Sequence, residues 1–128
     1  MKKLYTLSFI LLAALSFGQV ILPHYEGLDY TSGAALQTQT GWTLLNTGDD
    51  LAITTGNLSF PNLVASTGNK VSFGGGGIDA YKAITAQTSG TVYYSLLLNV
   101  GSMTGVTDTN GGYIAVLAID NTTFGVTI

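Results

Sequence analysis

Glu26 and His24 are the single glutamate and the single histidine of this 128-residue chain, and they are the first candidates for acid–base chemistry. Glycoside hydrolysis needs two carboxyl groups that flank one bond. Glu26 and Asp29 are three residues apart, so on a strand their side chains point to opposite faces. A Ser-His-Asp arrangement or a histidine metal site would depend on His24, which follows Pro23. The residues therefore predict no catalytic set. The other aspartates that could pair with Glu26 are Asp49, Asp50, Asp79, Asp108 and Asp120.

Two acidic segments are candidates for a structural calcium ion. Asp108-Thr109-Asn110-Gly111 has the beginning of a calcium loop, but the distal glutamate of that loop is missing. The Asn110-Gly111 pair is also typical of a tight turn. The second segment is Asp49-Asp50. The metal ligands stay open, and we expect no other cofactor. The chain has no cysteine, which excludes thiolate zinc sites and thiol nucleophiles.

Four consecutive glycines, Gly74 to Gly77, raise the question of a phosphate loop. Such a loop ends in Gly-Lys-Ser/Thr and opens a helix. Here Ile78 and Asp79 follow, and no helix is indicated. The glycines are better interpreted as a hairpin connection.

Several aromatic side chains could stack on sugar rings, because they combine a flat apolar face with a polar group. The alternative is that they are structural: Trp42 would belong to the core, and Tyr93 would cover the second face of a sheet. We favour the core for Trp42. The stacking candidates are Trp42, Tyr25, Tyr30 and Tyr93.

Residues 1–18 have the three-part layout of a secretory signal peptide. Lys2 and Lys3 precede an apolar run, and Ser16 and Gly18 place small residues before Gln19. We expect a mature chain that begins near Gln19 and is secreted or at the cell surface. The mature chain would have two lysines and seven acidic residues, which gives a net charge of −5, and it would have no arginine. This balance argues against nucleic acid and against anionic lipid as partners, and no later run is long enough to span a membrane.

The remaining residues, 19–128, predict one all-β domain. Thr91 to Val100 alternates over ten residues, the clearest strand signal in the chain, and we expect Leu96 and Leu98 to be buried on its apolar face. Thr31 to Gly41 is predicted to be a loop with one helical turn. Short strands separated by turn residues indicate an antiparallel β-sandwich. The other predicted strands are Tyr25–Tyr30 at an edge, Trp42–Leu45, Leu51–Thr54, Leu58–Phe60, Lys70–Phe73, Asp79–Thr85, a central strand Tyr113–Ile119, and Thr123–Ile128.

Four phrases of the sequence resemble a known family. The chain is similar to the jelly-roll, concanavalin A-like (laminin G-like) region near the start of secreted Bacteroidetes proteins, many of which end in a type IX secretion sorting domain. The resemblance implies a jelly roll, a structural calcium at the sheet rim, and further strands beyond Ile128, so that this chain would be an amino-terminal fragment with an incomplete sandwich. It provides no catalytic residues. The phrases are Tyr25–Tyr30 with Gly33, Leu36 and Gly41-Trp42; Gly56–Leu63; Ser89–Val100; and Gly112–Ile114.

The expected function is therefore that of a secreted, non-catalytic β-sandwich module. Its partner would be a polysaccharide or another cell-surface polymer, or it would act as a spacer in a larger extracellular protein. One alternative is part of a polysaccharide-degrading enzyme whose catalytic residues lie outside this segment. Another is a structural surface or adhesion component.

Overall fold

The computed structural model describes residues 19–104 and 113–127, and in these residues the chain is all-β. Within these described residues the helical structure is one 3-10 turn, Leu36–Thr38. The predicted helical turn within Thr31 to Gly41 is thereby confirmed. The strands are β1 Thr43–Leu44, β2 Ala52–Thr54, β3 Lys70–Ser72, β4 Ala80–Tyr81, β5 Val116–Ala118 and β6 Phe124–Thr127.

The strands form three two-stranded antiparallel sheets, β1 with β4, β2 with β3, and β5 with β6. The described residues divide into two compact units, with the boundary between Leu97 and Leu98. The first unit contains two sheets and the second contains one. Five predicted strands, near residues 42–45, 51–54, 70–73, 113–119 and 123–128, are confirmed in shortened form, and a sixth, 79–85, contributes its residues 80–81.

The core of the first unit lies around Ile53, the central residue of β2, which is almost fully buried. On one side Ile53 pairs with Val71 of β3. On the other side its N–H donates to the Ala34 carbonyl and its carbonyl accepts from the Gly33 N–H, both at 2.8 Å. Burial of such an aliphatic side chain stabilises the fold by about 1.5–3 kcal/mol. Leu36 and Ile78 complete the buried apolar set.

Glycine permits a close approach between two loops of this unit. A Cβ at Gly48 would lie 2.7 Å from the Gly76 carbonyl oxygen. The next residue, Asp49, forms an isolated parallel bridge with Gly77. The four glycines therefore lie in a connection from β3 to β4, two strands that belong to different sheets. The prediction of a hairpin connection was wrong, because each flanking strand pairs with an earlier strand instead.

The second unit contains a hairpin of β5 and β6 with an irregular register at Leu117/Ala118. The Asp120 carboxylate closes its turn by accepting from the N–H groups of Thr122 and Thr123 at 2.8 and 2.7 Å. Tyr113 and Phe124 meet edge to face with ring centroids 5.2 Å apart. In this two-stranded sheet β5 has one partner, so the prediction of a central strand was wrong.

The strongest strand signal did not produce a strand. Residues 91–100 have no regular secondary structure and all are exposed, including Leu96 and Leu98. Tyr93 is 91% exposed and covers no sheet. Alternation supplies two faces, but a strand also needs a neighbouring backbone for its N–H and C=O groups. None of the described strands pairs with this segment.

Two other predicted strands were also wrong. In Tyr25–Tyr30 the backbone turns at Leu28, whose φ is +54°, and the Tyr30 N–H donates to the Leu28 carbonyl at 2.8 Å. Leu58–Phe60 is part of a loop, because the Leu58 carbonyl accepts from the Ser66 hydroxyl instead of from a neighbouring strand, and Pro61 has no N–H to donate.

The predicted signal peptide, the Asp108–Gly111 segment and Ile128 lie outside the described residues. Among the residues the structure does describe, no helix is long and apolar enough to cross a bilayer.

Candidate functional site

Glu26 is the centre of a polar cluster in the first unit. Its carboxylate forms an ion pair and hydrogen bond with the Lys82 ammonium, which follows β4. One carboxylate oxygen accepts from the Leu28 N–H at 3.0 Å, and the other accepts from the Tyr30 hydroxyl at 3.3 Å. The turn at Leu28 explains the arrangement, since it brings its N–H back toward the side chain two residues earlier. The same turn that abolishes the predicted strand thus builds this cluster.

Trp42, the only tryptophan, extends the cluster. Its indole N–H donates to the Tyr30 hydroxyl at 3.2 Å, and the Lys82 ammonium lies 5.1 Å from the centre of its ring, within cation–π range. Trp42 is half-buried, so its assignment to the core was wrong. The indole needs a partner for its N–H, and that partner lies at the partly exposed cluster.

Each partner of the ion pair favours the charged form of the other. Burial raises the pKa of Glu26, but the Lys82 ammonium and the Leu28 and Tyr30 donors outweigh it, and the net pKa lies below the ordinary value. Burial lowers the pKa of Lys82, but the Glu26 carboxylate outweighs it, and the net pKa lies above the ordinary value. Both groups are therefore ionised at neutral pH. General acid–base catalysis near neutral pH is favoured by a group whose pKa lies close to 7, and both shifts move the pKa values away from 7.

His24 lies beside this pair, with its Nε2 3.9 Å from a Glu26 carboxylate oxygen. The structure thus brings together the only histidine and the only glutamate, a proximity that the sequence interpretation did not include. The groups that contact the Glu26 carboxylate are basic or neutral donors. These contacts do not include the second carboxyl group, from an aspartate, that a glycosidase pair would need. Asp79, one of the predicted carboxylate partners, instead accepts from the Asn46 side-chain amide at 2.8 Å and extends the pairing of β1 and β4.

Lys82 is the cluster member that sequence reasoning missed. It shares one face of the predicted strand 79–85 with Ala80 and Ile84, both apolar. A lysine on an apolar face needs a counter-charge. This signal indicates an acidic partner among the seven acidic residues of the chain, without selecting Glu26.

Tyr25 forms an aromatic surface that is exposed and yet fixed at its edge. The side chain is 67% exposed. Its hydroxyl accepts from the Thr67 N–H at 3.4 Å, and its ring occupies the space beside Gly27, where a Cβ would lie 3.2 Å from Tyr25 Cε1. The ring is therefore held at its hydroxyl and at one edge while most of its surface faces solvent. We call this arrangement the Tyr25 platform.

The calcium prediction stays a prediction. Within residues 19–104 and 113–127, no three His, Cys, Asp or Glu side chains come together as a metal site would require. At the Asp49-Asp50 candidate, the Asp50 carboxylate accepts from the Gln37 side-chain amide at 2.6 Å. The Asp49 backbone carbonyl accepts from the Ile78 N–H at 3.0 Å. The structure thus gives this segment a role in linking loops.

No protein-family model, curated protein or solved structure matches this chain.

Proposed function

We propose that this chain is a secreted or cell-surface, non-catalytic module of β-sandwich, jelly-roll type that binds carbohydrate or another surface polymer. The Tyr25 platform is the observation that carries the proposal. Sugar rings present flat faces of C–H groups, and an aromatic ring that is already fixed binds them with little loss of conformational entropy. The small antiparallel sheets and the scarcity of helix in the described residues support the sandwich.

The electrostatics of the Glu26 cluster support a role without catalysis. A glycosidase needs a carboxylic acid whose pKa is raised so that it can donate a proton. The pKa of Glu26 is shifted in the opposite direction. Its bond to the Lys82 ammonium joins the segment around Tyr25 to the end of β4, and its bond to the Leu28 N–H holds the turn of that segment. This is a supporting arrangement for the neighbouring Tyr25 platform.

The test is affinity electrophoresis of the exported chain in gels that contain soluble polysaccharides. We expect retardation by at least one polysaccharide, and we expect Tyr25→Ala to remove most of it. Tyr25→Phe keeps the ring and should retain most of the binding. Tyr93→Ala is the matched control, since it removes an exposed tyrosine from a segment without regular structure.

Absence of retardation across neutral and acidic polysaccharides would contradict the binding proposal. Equal losses for Tyr25→Ala and Tyr93→Ala would also contradict it, because they would show that no defined aromatic platform is involved.

A further inference from the structure

Residues 57–66 form a closed loop with an apolar tip. The Asn57 side-chain amide donates to the Ser66 carbonyl, and the Ser66 hydroxyl donates to the Leu58 carbonyl, so the base of the loop is tied. At the tip a tight turn brings the Leu63 N–H within 3.2 Å of the Phe60 carbonyl. Phe60, Leu63 and Val64 are 64%, 59% and 95% exposed. We call this segment the apolar loop.

The apolar loop is continuous with the Tyr25 platform. The residue that follows its base, Thr67, donates its N–H to the Tyr25 hydroxyl. The next residue, Gly68, lies against the backbone at Gly27, so closely that a Cβ there would collide with the Gly27 carbonyl. The chain that leaves the loop is thus pressed onto the chain that carries Tyr25. The loop that carries the exposed ring of Phe60 therefore leads directly into the segment against which the exposed ring of Tyr25 rests.

The apolar loop and the residues that flank it in the sequence carry no charge. Residues 51–69 contain no Asp, Glu, Lys, Arg or His. Of the two lysines in the described residues, Lys82 is compensated by its pair with Glu26, whereas Lys70 donates to the Thr55 carbonyl at 2.5 Å and keeps its positive charge. The net negative charge of the chain outweighs this one ammonium and would repel an acidic polymer. An uncharged polymer meets no such penalty.

We infer that the ligand of this module is an uncharged polysaccharide, and that it extends from the Tyr25 platform onto the apolar loop, where Phe60 provides a second stacking position. This inference rests on the proposed function and adds the class of ligand and the second contact. The tied base holds the loop in place before the ligand arrives, which reduces the entropy lost on binding.

The experiment measures the dissociation constants of the exported full chain for neutral polysaccharides (a glucan, a xylan and a mannan) and acidic ones (polygalacturonate and alginate). We expect binding to at least one neutral polymer and to neither acidic one. Phe60→Ala should weaken binding about tenfold, as truncation of a central aromatic contact does. Phe60→Tyr keeps a stacking ring and should bind nearly as well as the wild type. Tyr93→Ala is again the control, and circular dichroism checks that each variant is folded.

The outcomes separate the two proposals. Binding that depends on Tyr25 but is unchanged by Phe60→Ala, or that prefers the acidic polymers, would overturn this inference and leave the proposed function intact. No binding to any polysaccharide would overturn both. Binding to phosphatidylcholine vesicles that Phe60→Ala abolishes, without binding to neutral polysaccharide, would assign the loop to a lipid surface and overturn the inference as well.

Discussion

At the scale of single residues, the pairing of Glu26 with Lys82 is the main electrostatic feature of the first unit. The Glu26 carboxylate and the Lys82 ammonium neutralise each other's charge at a partly buried position. Tyr30 donates to the carboxylate, and the Trp42 indole donates to the Tyr30 hydroxyl. Removal of one partner from such a group costs more than the pair contributes, because the other charge is left without compensation. The cluster therefore serves to fix the position of the amino-terminal segment.

We predict that Glu26→Gln lowers the free energy of unfolding at pH 7 by about 1–3 kcal/mol. The pKa of Glu26 is lowered, so its stabilising contribution is present above the ordinary value of 4.5 and is lost as pH falls through the folded value. The pKa of Lys82 is raised, so its contribution is present below the ordinary value of 10.5 and is lost as pH rises through the folded value.

Urea unfolding from pH 3 to 11, followed by the fluorescence of Trp42, measures this dependence. The Glu26→Gln variant should lose the part of the acid and alkaline dependence that the pair causes. Asp29→Asn changes an exposed carboxylate in the same segment and is the matched control. A wild-type and a Glu26→Gln profile of identical shape would refute the role of the pair.

At the scale of elements, close backbone contacts through glycine organise the loops. Gly68 has a φ of +86°, in the left-handed region that favours glycine, and its position for a Cβ is filled by the Gly27 carbonyl. Gly74 has open space around the same position. The two glycines therefore differ both in backbone conformation and in what the fold places beside them.

We predict that Gly68→Ala lowers the free energy of unfolding by more than about 1 kcal/mol. The substitution adds backbone strain, which alone costs about 1–3 kcal/mol, and a collision with backbone atoms. Gly74→Ala should change the free energy of unfolding by less than about 1 kcal/mol. Thermal melts of both variants measure the difference. Equal effects would show that the contact between Gly68 and Gly27 is not part of the folded state.

The long alternating segment leads to a second prediction at this scale. Amides in residues 91–100 should exchange with solvent much faster than the amide of Ile53, because the described strands include no partner for them. Leu96→Ala should cost less than about 1 kcal/mol, whereas Ile53→Ala should cost about 2–5 kcal/mol. Hydrogen exchange by NMR and urea melts measure both. Slow exchange at Leu96 would show a strand that pairs here.

Local patterns in the sequence predicted some elements and failed for others, for physical reasons. Two predicted strands are confirmed because they pair with each other, and these are Leu51–Thr54 and Lys70–Phe73. Thr91–Val100 has a stronger pattern but no partner, and pairing is a property of the whole fold that alternation does not contain. The Glu26–Lys82 pair could not be predicted from spacing, because 56 residues separate its members. Tyr25 was named as a stacking candidate, but its fixed position depends on Gly27 and Thr67.

At the scale of the whole molecule, the predicted export determines the form in which the protein acts. Lys2, Lys3 and the apolar run that follows them predict cleavage before Gln19. In the structure, Val20, the second residue of the predicted mature chain, forms a parallel bridge with Ile84.

We predict that mass spectrometry of the exported protein shows a chain that begins within a few residues of Gln19. Replacement of both Lys2 and Lys3 by Glu should reduce export, because the positive start of the signal is lost. Intact Met1 in exported material would contradict the prediction of a cleaved signal peptide.

The most direct test of the account is an NMR titration of the isotope-labelled exported chain with a neutral oligosaccharide taken from whichever polysaccharide retards it in gels. The account predicts saturable chemical-shift changes that cluster at Tyr25, Gly27, Thr67 and the apolar loop. The indole signal of Trp42, which lies beside the Glu26–Lys82 pair, should not change. Shifts that are absent, or that spread over the chain without this cluster, would contradict the claim that the Tyr25 platform is a carbohydrate-binding surface.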